Sequence, residues 1–233
     1  MHKSHYQRFI MPTAIRIGVL IPENNTRVEE ELPLWLPGCR LEVVKIPRDK
    51  GLLNAAALPA YKENALALAR KKLGAGDIDV VAYGCTAAGF LLGPAGDQEL
   101  ARQLRDNTGK PVATIASSMT SVLTQDGIRK VAVVTPYSDA VNAQLKGFIS
   151  HAGIEIAAFD SLYAKDVDEL GRISAQAVSH IARQTMNDDC EAMFIACAQL
   201  PTFNVLHQLE TEFGRPVYSS IQAMATQIQA ITS

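Results

Sequence analysis

Two apolar runs that each end in a cysteine constrain this chain more than anything else in it. Val80-Val81-Ala82-Tyr83-Gly84-Cys85-Thr86 and Ala192-Met193-Phe194-Ile195-Ala196-Cys197-Ala198 lie 112 residues apart. Runs this short and this apolar read as strands buried on both faces, which is the habit of parallel sheets. Two further segments recur in the same order. Arg16 to Pro22 is echoed by Lys130 to Pro136, and Gly109-Lys110-Pro111-Val112 by Gly214-Arg215-Pro216-Val217, at intervals of 114 and 105 residues. Three echoes in register describe a duplicated half, with a period far too long for a solenoid.

The remaining elements follow from this frame. In the first half, Ile15–Ile21 reads as a strand ended by Pro22, and Glu23 to Glu31 as a loop entering a helix, with Asn and Thr to cap it and acids in its first turn. Leu41–Ile46 follows as a strand, and Arg48 to Leu53 as a polar, glycine-containing loop over the site. Helices are expected at Tyr61–Leu73, Glu99–Asp106 and Ser118–Gln125, with a strand at Val112–Ile115. The second half repeats the order: strands at Val131–Val134, Glu155–Phe159, Ala192–Ala196 and Val217–Tyr218, and helices at Asp139–His151, Val167–Met186 (one or two), Val205–Phe213 and Ile221–Ile231. Strand alternating with helix is the grammar of a parallel sheet covered on both faces. The expected division is a tail at 1–14, a first α/β lobe at 15–118 completed by a helix at 219–233 that crosses back, and a second lobe at 119–218.

Composition narrows the function. With 48% hydrophobic residues, 20% charged residues and a net charge of −2, the chain lacks the basic excess that nucleic acid or an anionic membrane surface calls for. No stretch approaches the roughly 18 apolar residues of a membrane span, and residues 1–10 are too polar for a secretory signal. The expected compartment is the cytoplasm, where Cys39, Cys85, Cys190 and Cys197 stay reduced. No spacing among them matches a zinc site, so no metal is expected. Without a secretory signal the Asn24-Asn25-Thr26 sequon has no use. The acids Glu29, Glu30 and Glu31 are explained as helix-start residues, and His2, His5, His151, His180 and His207 as surface groups.

A thiol at the end of a buried strand, with a turn into a helix beyond it, meets the positive end of that helix. Its ionisation is thereby favoured. Two such thiols on two matched halves would face each other across one cleft, where one takes a proton from one face of a substrate and the other returns it on the opposite face. Cys39 and Cys190 end no strand and read as structural.

These motifs, with Pro22-Glu23-Asn24-Asn25-Thr26, Gly84-Cys85-Thr86, Thr135-Pro136-Tyr137 and Cys197-Ala198-Gln199-Leu200-Pro201, resemble the aspartate/glutamate racemase superfamily. Within it they are most similar to the branch of maleate cis-trans isomerase and arylmalonate decarboxylase. The resemblance covers Arg16 to Ile231 and implies two pseudo-symmetric flavodoxin-like lobes with the active site in the cleft between them. It places Cys85 and Cys197 on the two catalytic positions and Asn25 on a carboxylate-holding residue. Thr86 and Tyr137 fall on hydroxyl donors which, with the backbone N–H groups of Ala87 and Ala198, would cradle a carboxylate without a metal, a cofactor or an arginine. Val167 falls where the isomerases place a second carboxylate-binding asparagine, which implies a substrate with one carboxylate and a less polar second arm.

The decarboxylase has glycine at the position of Cys85, so two cysteines point to racemisation or cis-trans isomerisation of a small carboxylic acid. The alternatives are a decarboxylase of malonate-type acids that protonates through Cys197, and a small-carboxylate binding protein with no catalysis. The expected partner is a small carboxylate, with no nucleic acid and no membrane. Oligomeric state is left open, a homo-oligomer included.

Overall fold

The computed structural model describes residues 14–48, 51 and 53–233. The expected tail, apart from Ala14, lies outside the described residues, as do His2, His5 and positions 49, 50 and 52 of the loop expected after Ile46. Two four-stranded parallel sheets form the frame. In the first the order is β2-β1-β3-β4, with β1 Arg16–Pro22, β2 Arg40–Ile46, β3 Val80–Tyr83 and β4 Val112–Thr114. The second has the matching order β6-β5-β7-β8, with β5 Lys130–Thr135, β6 Glu155–Ser161, β7 Ala192–Ile195 and β8 Val217–Ser219. All four residues of β3 and all four of β7 are buried, as central strands covered on both faces require.

Helices flank both sheets. Around the first are α1 Arg27–Trp35, α2 Leu58–Leu73, α3 Thr86–Leu91, α4 Gly93–Thr108 and α5 Ile115–Gln125. Around the second are α6 Asp139–His151, α7 Val167–Arg172, α8 Ala175–Thr185, α9 Phe203–Phe213 and α10 Ser220–Thr232. The span expected as one helix or two at Val167–Met186 is therefore two. None of the described helices is long and apolar enough to cross a membrane.

The third sequence echo has a local cause. Gly109 and Gly214 close α4 and α9 with left-handed φ angles of 66° and 63°, a conformation that favours glycine. In both halves a short strand follows, and then a hydroxyl that caps the next helix. Thr114 accepts a hydrogen bond from Ser117 N–H at the start of α5, and Ser219 forms a reciprocal pair with Gln222 at the start of α10. Helix α10 packs on α5, on α1 and on β3 and β4 of the first sheet.

One core runs through both halves. It joins Ile17, Val19 and Ile21 of β1 to Val131 and Val133 of β5 and to Met224 and Ile228 of α10. A second core, with Leu20, Tyr61, Val81, Tyr83, Cys85 and Leu100, lies between the first sheet and helices α2 and α4.

Candidate active site

In each sheet the chain leaves the second strand in spatial order (β1, β5) for the edge strand beside it, then returns to the far side (β3, β7). The carboxyl ends of strands that flank such a reversal leave a crevice. Here the two crevices meet in a single cavity of about 40 Å³. Its walls are Pro22, Asn24 and Asn25 at the end of β1, Gly84 to Ala87 after β3, Tyr137 after β5, and Cys197 to Gln199 after β7. Arg48 and Leu53 beyond β2 and Leu170 of α7 complete it.

Both cysteines are free and buried, 5% and 6% exposed. Gly84 lets the turn before Cys85 lie close to β1, because a Cβ there would stand 2.7 Å from Ile21 Cγ2. Cys85 is the N-cap of α3, and the backbone N–H groups of Ala88 and Ala87 favour its thiolate. Cys197 has a different setting. Gln199 N–H donates to its Sγ at 3.4 Å, but α9 starts only at Phe203, and the N–H groups of Thr202 and Phe203 are taken by the Glu31 carboxylate at 2.8 and 3.2 Å. The expected helix end is present for Cys85 and absent for Cys197.

Burial pushes both thiols up from the ordinary cysteine value and outweighs every opposing effect. For Cys85 the opposing groups are Ala88 N–H, the Arg48 charge, the Tyr61 hydroxyl and Ala87 N–H. For Cys197 they are the Tyr137 hydroxyl and the N–H groups of Gln199 and Leu200, while Cys85 itself pushes the other way. Burial thus works against the ionisation that a strand-end position favours: at both sulfurs the net shift is toward the thiol, as it is at Cys39 and Cys190. Each site cysteine has a buried tyrosine against it, Tyr61 for Cys85 and Tyr137 for Cys197. Those phenols are themselves held protonated, chiefly by burial.

The residues around the thiols also tie the halves together. Ala198 N–H donates to Thr86 Oγ1 at 3.2 Å. That leaves the Thr86 hydrogen free to donate to a ligand, but it occupies the Ala198 N–H expected to do so. Asn25 Nδ2 donates to the Ala198 carbonyl at 3.0 Å, while its Oδ1 accepts from Val28 N–H at 3.0 Å at the start of α1. One amide hydrogen of Asn25 remains for a ligand. Thr26 N–H reaches Gln199 Oε1 at 3.3 Å. Further from the cavity Glu31 clasps Thr202 and Phe203, and Trp35 meets the Phe203 ring edge-on with centroids 4.9 Å apart.

Of the residues singled out in the sequence, Cys85, Cys197, Asn25, Thr86, Ala87, Tyr137 and Ala198 line the one cavity. Val167 does not; it is buried as the first residue of α7, and Leu170, one turn on, takes its place in the wall. Sequence reasoning put the loop from Arg48 to Leu53 over the site without giving either residue a role, quoted Asn24 and Gln199 only as members of motifs, and missed Tyr61. A cation directly beyond a strand end could have drawn attention to Arg48, since that is where such crevices form, whereas Tyr61 has no counterpart in the second half. Among the described residues no group of three or more His, Cys, Asp or Glu side chains could hold a metal ion.

Fold and site together define a duplicated α/β protein with a cysteine from each half in one cleft between the two sheets. The arylmalonate decarboxylase family model matches residues 51–232, and the chain belongs to that family, the arylmalonate decarboxylase and maleate isomerase branch of the aspartate/glutamate racemase superfamily. It is 28% identical over 232 residues to a maleate isomerase of Nocardia farcinica, covering 91% of this chain and 88% of that protein. It is 25% identical over 208 residues to an arylmalonate decarboxylase of Bordetella bronchiseptica, covering 88% and 82%. The fold matches the crystal structure of the maleate isomerase Iso from Pseudomonas putida S16 with a TM-score of 0.86 at 24% identity, over 94% of this chain and 92% of that one.

Proposed function

We propose that this protein is a cofactor-independent isomerase or racemase of a small carboxylic acid, with Cys85 and Cys197 as the reacting pair. The observation that carries the reading is that two buried cysteines, at equivalent strand ends of two matched sheets, line one small cavity. On a cis-alkenoic acid, the Cys85 thiolate adds to the double bond and Cys197 gives its proton to the adjacent carbon. The carbon–carbon bond, now single, rotates; Cys197 takes the proton back and the carbon–sulfur bond breaks to leave the trans acid. On a saturated substrate the same pair exchanges the α-proton between faces. Thr86 and Tyr137 hold the carboxylate as charge builds on it, with the free amide hydrogen of Asn25 as a third donor. Burial raises both thiols, so Cys85 must first give its proton to solvent water before its sulfur adds to the double bond.

One relative supports the covalent route, and a second supports a small carboxylate as ligand. A cysteine-to-serine variant of the Nocardia farcinica maleate cis-trans isomerase carries a covalently bound succinylcysteine intermediate, and a cysteine-to-alanine variant of the Pseudomonas putida S16 enzyme was solved with maleate. The second reading is a decarboxylase protonating through Cys197; the family is named for that reaction and one relative is an arylmalonate decarboxylase. In the same proposal residues 15–118, with the returning helix at 219–233, form one lobe and 119–218 the other.

Incubation with a panel of small acids in deuterated water, followed by NMR, tests the proposal. Catalysed deuteration or cis-trans conversion supports the acid/base pair; CO2 release with a single deuterium incorporated supports the decarboxylase. Binding without either reaction leaves a carboxylate-binding protein.

A further inference from the structure

We infer that Arg48 is the specificity-determining cation of this cleft, pairing with a second anionic group on the substrate arm that points away from the cysteines. The inference rests on the reading of the cleft as a carboxylate site. Among the described residues that line the cavity, Arg48 alone carries a formal charge. Its position is fixed by the sheet: β2 runs in parallel register with β1 as far as Ile46 beside Pro22, Glu23 N–H donates to the Ile46 carbonyl at 2.9 Å, and Arg48 follows two residues later.

The side chain is incompletely satisfied. One Nη2 hydrogen goes to the Gly51 carbonyl at 2.6 Å, whereas the buried Nε–H has no partner. None of the ion pairs among the described residues involves Arg48. A half-buried guanidinium with an orphan N–H is a standing electrostatic deficit, and a carboxylate is the group whose two oxygens fit its fork of donors. Structural arginines in this protein look different: Arg16 is held by Asp79 and Asp77, Arg102 by Glu99 and Asp106.

Space points the same way. The inner cavity, at about 40 Å³, holds little more than the reacting end of a small acid. Arg48 and Leu53 form its boundary with an outer pocket of about 430 Å³, lined also by Asn54, Tyr61 and Asn64. A substrate arm leaving the thiols in this direction meets the Arg48 charge first. That charge also acts on Cys85, whose thiolate it favours, so the residue that selects the distal anion assists the sulfur that must lose a proton. With Val167 out of the wall, this role falls to a residue of the opposite lobe.

Succinate and butyrate, equal in chain length and differing in the second carboxylate, provide the test by calorimetric titration, which reads binding without turnover. The wild-type protein should bind succinate at least tenfold more tightly than butyrate. Arg48→Gln should abolish that preference by weakening succinate far more than butyrate, and Arg48→Lys should retain part of it. In addition, the pH profile of Cys85 alkylation should move to higher pH in Arg48→Gln while that of Cys197 stays put. Wild-type succinate preference in Arg48→Gln, or an equal loss of both ligands in a variant that melts like the wild type, overturns the inference. If Arg48→Gln does not fold, the same comparison is made with Arg48→Lys and Arg48→Met. Succinate preference that depends on Arg48 without turnover of any acid would uphold the inference and sink the isomerase reading; turnover indifferent to Arg48 would do the reverse.

Discussion

Thr86 and Ala198, the residues that directly follow the two cysteines, are hydrogen-bonded to each other across the cleft at 3.2 Å, 112 residues apart in the chain. The bond joins equivalent positions of the two halves, so it acts as a gauge of the distance between the thiols. Thr86→Val, which keeps the shape and removes the acceptor, should lower kcat/KM roughly tenfold or more through misplacement of the sulfurs and cost about 1–3 kcal/mol for the stranded Ala198 N–H. Chemical denaturation and steady-state kinetics on the same preparation check both effects.

Cys85→Ser and Cys197→Ser should each fold with a melting temperature within a few degrees of the wild type, since the change of atom is small. Each should lose roughly 10²–10⁴-fold in kcat/KM. Near-full turnover in either variant would sink the paired mechanism.

Cys85→Gly removes the acceptor on one face and leaves Cys197 to protonate from the other. Racemisation or isomerisation should disappear, and an arylmalonate, if decarboxylated at all, should give one enantiomer in excess. Chiral chromatography of the product decides it.

Because burial raises both site thiols, their alkylation by iodoacetamide should be slow at neutral pH and climb with a midpoint above the value of about 8.5 for a free cysteine. A carboxylate ligand should slow it further. Mass-mapped labelling between pH 6 and 10 reads this out site by site. Rapid labelling of Cys85 or Cys197 at pH 6 to 7 would contradict the assigned protonation.

Glu31 is buried where α1 meets the start of α9, and its carboxyl is raised, chiefly by burial, against the hydrogen bonds from Thr202 and Phe203. A raised folded value means that the native state holds its proton to higher pH than the unfolded chain. Its linked contribution to stability is therefore complete below the ordinary carboxylate range and declines as pH rises through the raised value. Glu31→Ala strands the N–H groups at the start of α9 and should cost about 2–4 kcal/mol; Glu31→Gln should flatten the pH dependence. Urea melts from pH 4 to 8 test the sign.

The parts of the fold that repeat could be read from residues alone. The strands around Cys85 and Cys197 are short, apolar and doubly covered, and the Gly-x-Pro-Val echoes carry their own punctuation in Gly109 and Gly214. What escaped has no such signal. Helix α3 is six residues long and too short to show a period, and α4 begins at Gly93, where a glycine and a proline suggest a loop although proline is at home in a first turn. Glu31 looks like its neighbours in sequence, yet Glu29 pairs with Lys45, Glu30 with Arg27, and Glu31 turns inward to cap a helix of the other half. Arg48 and Tyr61 reach the site from unrepeated stretches. A duplication reveals the elements the halves share and hides those in which they differ.

Helix α10 lies over β3 and β4, so the first sheet is roofed by residues that come more than a hundred positions after its last strand. During synthesis strands β1 to β4 emerge before residues 220–232, so part of their apolar surface lacks its final cover until the chain is nearly complete. The first half therefore completes its cover only when the last helix arrives, so docking of α10 should come late in folding.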